Sequence, residues 1–305
     1  MFKSFREIKI GIGGITFLLR AKDSLLLPFY FEEFISDKEP DVEFTCLCSS
    51  LPTLEGYKVI AEYRNNWRIY QKEREYAIES YNSRLLEENK VVVDRILLTD
   101  ENFSKGIAYL PSEKVYQEII GEPHLPCWTV PSFFVPFGEL ILVNFLSHRE
   151  GIMLHGAALK YKGEGLVFLG PTEAGKSTMI RLWKEEREAE GLSDETIIVR
   201  KEKGIFFVYG TPRGGSERVH SPEKAPIKEI FFIEHGKTNQ VTPLPPYLAI
   251  QRLFPQIFLP FWSKERLEKI SILSQELVSS FSCKVLSFVK DRSVVDYLKS
   301  IVTED

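Results

Sequence analysis

The sequence predicts an α+β or α/β protein, with a β-rich N-terminal domain followed by an α/β domain built on a mixed sheet. Three observations carry this. Over residues 1–120, short runs alternate apolar and polar residues, the mark of half-buried antiparallel strands. From about residue 150 the rhythm becomes strand, turn, helix, strand, as in an α/β domain. Between them, GEPHLPCWTVPSFFVP (121–136) holds four prolines and reads as a connection. The expected division is therefore a β-rich domain over 1–120, a linker and helix over 121–150, and a second domain over 151–305. A chain of 305 residues accommodates two ordinary domains.

In the first domain, strands are expected over 8–19, 42–48, 57–64, 67–71, 76–80 and 91–99, with Asn65-Asn66 as a tight turn. This half carries no chemical signature of its own and reads as a packed antiparallel β-meander. FGELILVNFLSHR (137–149) spaces Leu140, Val143 and Leu146 as a helix does. In the second domain, strands are expected over 152–161, 165–170, 195–202, 204–210, 226–235 and 284–289. Helices are expected over 178–190, 245–254, 264–281 and 293–302.

Composition narrows the function classes. Hydrophobic residues make up 44% and charged residues 27%, which is globular. A net charge of −4 argues against DNA or RNA as the main partner. The opening MFKSFREIKIGIGG lacks the apolar core of a signal peptide, and no apolar run reaches 18 residues, so a cytoplasmic protein without membrane contact is expected. Cys46 and Cys48 are two apart on an expected strand and share a face. With only Cys127 and Cys283 besides them, no second pair completes a zinc site, and all four read as reduced thiols.

The chemistry lies in GPTEAGKST (170–178). Gly170, Gly175, Lys176 and Ser177 match G-x-x-x-x-G-K-[ST], entered from a buried-strand run and left by a helix, the context that supports a phosphate-binding loop. The glycines let backbone N–H groups point inward as an anion nest, and the helix N-terminus adds partial positive charge. Lys176 reaches the β- and γ-phosphates, Ser177 offers its hydroxyl to Mg²⁺, and Thr178 is placed for the α-phosphate. Gly170, Thr172, Glu173, Ala174, Gly175, Lys176, Ser177 and Thr178 make up the expected nucleotide-binding set. The Glu173 carboxylate is expected on the outer, solvated side of the loop, where charge is screened within about 8 Å.

A phosphate loop alone does not separate a switch, a motor and a kinase. Asp194 and Glu195, adjacent carboxylates 18 and 19 residues beyond Lys176, supply the second element. One can bind Mg²⁺ and the other can take a proton from an attacking hydroxyl.

MLHGAAL (153–159), GLVFLGPTEAGKST, GLSDET and YGTPRGG (209–215) together resemble the HPr serine kinase/phosphorylase-like P-loop kinases, whose fold is shared with phosphoenolpyruvate carboxykinase. The resemblance is specific over roughly 152–215 and looser over 226–302. The first 120 residues look more like the β-rich front half of HPr-kinase-like proteins found beside peptide-modifying systems. The resemblance implies ATP and Mg²⁺ as cofactors and an alcohol group as acceptor. It puts Lys176, Ser177 and Thr178 on the nucleotide-phosphate and Mg²⁺ positions, and Asp194 and Glu195 on the pair that binds metal and acts as base. It puts His155 near the γ-phosphate, while Arg213 is a forked donor able to clamp a phosphate. The chain departs from the family in having Glu195 where a second aspartate is usual and Glu173 where a glycine is usual, and the segment that recognises HPr is not seen.

The leading expectation is a kinase acting on a Ser or Thr hydroxyl of a peptide or small protein, with a homo-oligomer allowed. Two alternatives stay open: a kinase of a small hydroxylated metabolite such as free serine, and a non-catalytic nucleotide-binding regulatory or scaffold protein. No separate cluster of basic and metal-binding residues suits the dicarboxylate of a carboxykinase reaction.

Overall fold

The computed structural model describes residues 2–63, 66–81, 92–111 and 128–302. Asn65 of the expected turn, Cys127 and the first part of the expected linker lie outside them. The chain divides into two compact units, one of Met1–Phe145 with Pro260–Lys264 and one of Leu146–Leu259 with Glu265–Asp305.

The first unit is a sheet of nine strands among the described residues. They are β1 (Phe2–Ile12), β2 (Ile15–Pro28), β3 (Val42–Cys48), β4 (Lys58–Tyr63), β5 (Trp67–Lys72), β6 (Glu75–Tyr81), β7 (Val93–Asp100), β8 (Lys105–Leu110) and β9 (Trp128–Thr129). Their order is β1-β2-β3-β8-β7-β6-β5-β4, with β9 beside β2. Ile12 opposes Ile15, so Gly13 and Gly14 form a two-residue turn, and their φ of 59° and 74° are what such a turn requires. The sheet is not the antiparallel meander that alternation suggests. Strand β3 runs parallel to both β2 and β8, because period-two patterning fixes which face is buried but not which neighbour is paired. Strand β8, absent from the expected set, opens on Lys105-Gly106, a weak strand signal. A Cβ at Gly106 would lie 2.1 Å from the Leu98 carbonyl oxygen, so only glycine fits.

Behind the sheet, α1 (Val130–Phe133) starts with a capping box between Thr129 and Ser132, each side chain 3.1 Å from the other's backbone N–H. Phe133 packs on Phe44 and Trp128 with ring centroids 5.5 and 6.4 Å away. Helix α2 (Glu139–Leu146) follows, shorter than the 137–149 expected. The returning segment Pro260–Lys264 brings Phe261 onto Trp67, centroids 5.6 Å apart, and Trp262 edge-on to the same indole. Offset and edge-on aromatic pairs of this kind add about 0.5–1.5 kcal/mol beyond their burial.

The second unit holds β10 (Gly151–Tyr161), β11 (Glu164–Leu169), α3 (Lys176–Trp183), β12 (Ala189–Ser193), β13 (Thr196–Glu202), β14 (Ile205–Tyr209), β15 (Lys224–His235), β16 (Gln240–Pro243), α4 (Pro246–Leu253), α5 (Lys264–Ser280), β17 (Lys284–Phe288) and α6 (Ser293–Val302). Two long strands split the sheet. The first half of β10 pairs with β13, and its second half lies between β11 and β12. The start of β15 pairs with β14, while the rest runs parallel to β11 and β17. Alternate residues of β11 face opposite layers. Val167 and Leu169 join a core with α4 and α5, whereas Leu166 and Phe168 join one with α3 and α6.

The helix expected over 178–190 ends at Trp183, and Ala189–Ser193 forms β12 instead. After Trp183 the chain reads KEEREAE, which has no large apolar residue to continue a buried stripe. Leu192, fully buried, is better served as a strand residue beside β10. Asp194 and Glu195 therefore occupy the connection from β12 to β13 rather than the opening of one strand.

Candidate functional site

The loop from β11 to α3 is shaped by its backbone. Glu173 and Gly175 both take left-handed conformations, with φ of 69° and 104°. Residues in left- and right-handed conformations in succession turn their N–H groups into a common concavity. A Cβ at Gly175 would stand 2.8 Å from Cζ of Phe288, so strain and crowding both demand glycine. Gly175 is also the N-cap of α3, whose first N–H groups, on Lys176, Ser177 and Thr178, have no intrahelical acceptor. Those donors and the helix dipole favour an anion.

Lys176 is buried and folds along the loop. Its Nζ donates to the carbonyls of Gly170 at 2.8 Å and Pro171 at 3.0 Å. Burial lowers its pKa, and the nearby charge of Glu195 acts in the opposite direction.

The β12–β13 connection comes to the same place. Ser193 Oγ accepts N–H bonds from Glu195 and Thr196, which shapes the turn. Asp194 is wholly buried. Its carboxylate accepts backbone N–H bonds from Gly215 at 2.7 Å, Glu217 at 2.9 Å and Val219 at 3.0 Å, which tie the 213–219 loop to the turn. Its carbonyl lies 3.3 Å from Ser177 Oγ, which donates to it. Glu195 points a partly exposed carboxylate at His155, with Nδ1 and Oε1 3.6 Å apart, beyond hydrogen-bond length. His155 has its pKa lowered, first by burial and then by the Lys176 charge, while Glu195 pulls it upward.

These groups share a cavity of about 580 Å³, within the range of ligand sites. Its wall includes His155, Thr172, Glu173, Gly175, Lys176, Ser177, Thr178, Asp194 and Glu195. Gly170 and Ala174 lie buried behind the loop. Arg213 is exposed on the 213–219 loop and is not part of the wall, although its charge helps to lower the pKa of His155. Among the described residues, no three His, Cys, Asp or Glu side chains converge as a metal cage. A Mg²⁺ bound through phosphates needs only one or two protein ligands; the Ser177 hydroxyl and the Glu195 carboxylate line the cavity, whereas the Asp194 carboxylate is already held by three backbone amides.

Sequence reasoning missed Ser216, His235 and Lys290, which also line the cavity. His235 ends β15 and Lys290 follows β17, two strands parallel to β11. A strand end beside a phosphate loop is the signal that could have found them. It also missed Gln256, which is buried; with its amide nitrogen turned to face them, it reaches the carbonyls of His155 at 3.3 Å and Gly170 at 3.0 Å. Among the described residues, no helix is long and apolar enough to cross a membrane.

Residues 138–278 match the family model of the SynChlorMet cassette protein ScmC. The matched stretch is less than half of the chain, and it takes in the 170–178 loop and the acidic pair but stops before β17. None of the curated proteins compared matches the chain.

Proposed function

We propose that this protein is an ATP- and Mg²⁺-dependent kinase of HPr-kinase-like arrangement that moves the γ-phosphate to a Ser or Thr hydroxyl on a peptide or small protein. The observation that carries the proposal is the shared cavity, in which Glu195 stands 3.6 Å from His155 and opposite a nest headed by Lys176 and Ser177.

The chain's own groups divide the work. The loop amides and the N-terminus of α3 bind the phosphate chain. Lys176 adds a cation held in place by two loop carbonyls. Ser177 is the residue that would hold Mg²⁺, through its hydroxyl. The metal ion, when bound, offsets negative charge on the phosphates. Glu195 takes the proton of the acceptor hydroxyl as that oxygen bonds to the γ-phosphorus and the β–γ bridging oxygen departs with ADP. Asp194 fixes the 213–219 loop beside the cavity through three amides.

Incubation with γ-labelled ATP, Mg²⁺ and a set of Ser- and Thr-containing peptides tests this, with free serine as a separate arm. Label on a peptide is expected, and Glu195→Gln is expected to lower transfer by about 10² or more with ATP affinity nearly unchanged, as for loss of a general base. Tight ATP binding with no labelled acceptor, or full transfer by Glu195→Gln, would overturn it. A nucleotide-binding role without transfer is the second reading. It is favoured by Asp194, whose carboxylate is already engaged by three amides and leaves one carboxylate facing the cavity.

A further inference from the structure

We infer that the cavity has a fixed direction: His235 and Lys290 receive the nucleoside end of the phosphate chain, and His155 with Glu195 the terminal phosphoryl end. This rests on the kinase reading and extends it to residues that reading does not use. The sheet order sets the direction. Strand β11, which feeds the phosphate loop, has β10 on one side and β15 then β17 on the other. His155 of β10 and the acidic turn beyond it therefore flank the loop on one side. His235 and Lys290 flank it on the other, at the carboxyl ends of strands parallel to β11, where ligands of such sheets bind. A nucleoside triphosphate has two unlike ends. The terminal phosphoryl must lie by the base, so the esterified end points toward β15 and β17.

His235 is built as a platform. Its Nε2–H donates to the Glu173 carbonyl at 2.9 Å, which fixes the ring against the loop. One side of the imidazole packs near Phe288, with centroids 6.3 Å apart. Phe288 is buried beneath it, and His235 itself is exposed at the cavity wall. A flat, fixed ring with an open face suits stacking by a base. Lys290, exposed on the same flank, offers a cation to the esterified phosphate.

The test compares Mg²⁺-ATP with Mg²⁺-tripolyphosphate, which has the phosphates and no nucleoside, by titration calorimetry on the full chain. His235→Ala is expected to weaken ATP binding roughly 5- to 150-fold, the worth of one base–aromatic stack. Tripolyphosphate affinity should stay within about twofold, and His235→Phe, which keeps the ring, should bind ATP nearly as wild type does. If the alanine variant weakens both ligands equally, His235 merely supports the loop and the direction is overturned. If wild type binds ATP no better than tripolyphosphate, the nucleoside contact is absent while the phosphate site stands. If it binds neither, the kinase reading falls as well.

Discussion

Asp194 and its three N–H donors set what a single atom change does. Asp194→Asn replaces one acceptor oxygen with an NH₂ that faces backbone N–H groups, so a buried donor is left unmatched. A loss of about 1–3 kcal/mol is expected, read as a lower denaturation midpoint together with faster amide exchange at Gly215, Glu217 and Val219. Unchanged exchange there would show that the loop does not depend on the carboxylate. Gly175→Ala is expected to weaken Mg²⁺-tripolyphosphate binding as well as stability, since the new methyl meets Phe288 at a left-handed position. Calorimetry and thermal melting check the two effects separately. At this scale the shape of the 170–178 loop was legible because it is local: spacing, glycine conformation and helix start lie within the nine residues GPTEAGKST. His235 and Lys290 were not, since each is an ordinary residue until the order of strands brings it beside the loop. The engagement of Asp194 was also hidden, because its partners are backbone groups more than twenty residues away.

Among the elements, α5 shows how one ion-rich contact gains a pH dependence. Its Lys269 donates to His148 Nδ1 at 2.8 Å and to Glu265 at 2.7 Å, and an imidazole accepts such a bond only when neutral. The pKa of His148 is lowered, by burial first and then by Lys269 and Arg266, against an opposing pull from Glu265. A depressed folded-state pKa means that the unfolded chain binds the proton more readily. The associated stability is present above the ordinary value of 6.5 and is lost as pH falls through the folded-state value. Denaturation midpoints measured from pH 7.5 down to 5 should therefore drop less steeply in His148→Asn than in wild type, and equal slopes would exclude His148 as a source. Strand existence was legible in most elements, since burial periodicity reports which face is covered. Parallel pairing of β3 and the short β12 were not: the first is a choice of neighbour, and the second follows a charged run that imitates a solvated helix.

For the whole molecule, the composition of the first unit matters most. Trp67 completes its surroundings only with Phe261 and Trp262, which lie far along the chain. Trp67→Ala removes the ring contacts with Phe261 and Trp262, and that with Tyr63, and is expected to cost about 3–5 kcal/mol, visible as a shifted urea midpoint. A change below about 0.5 kcal/mol, the level of an ordinary surface substitution, would show that the returning segment contributes nothing. The rhythm of the sequence changes near residue 150, and the chain first leaves the N-terminal unit at 145–146. The return of a five-residue piece was not legible, because PFWSK carries no mark of the unit to which it belongs.

That return has a consequence for biosynthesis. A ribosome makes about 5–20 residues per second, and domains generally fold in the order in which they emerge. Here the first unit cannot close at the moment its long N-terminal portion is finished. It must wait while the 170–178 loop, the acidic turn and every element from β10 to α4 are translated, until Phe261 and Trp262 leave the exit tunnel. Nor would one protease cut at the junction release it, since the chain passes between the units three times, at 145–146, 259–260 and 264–265. The N-terminal unit is the first begun and is completed from within the second.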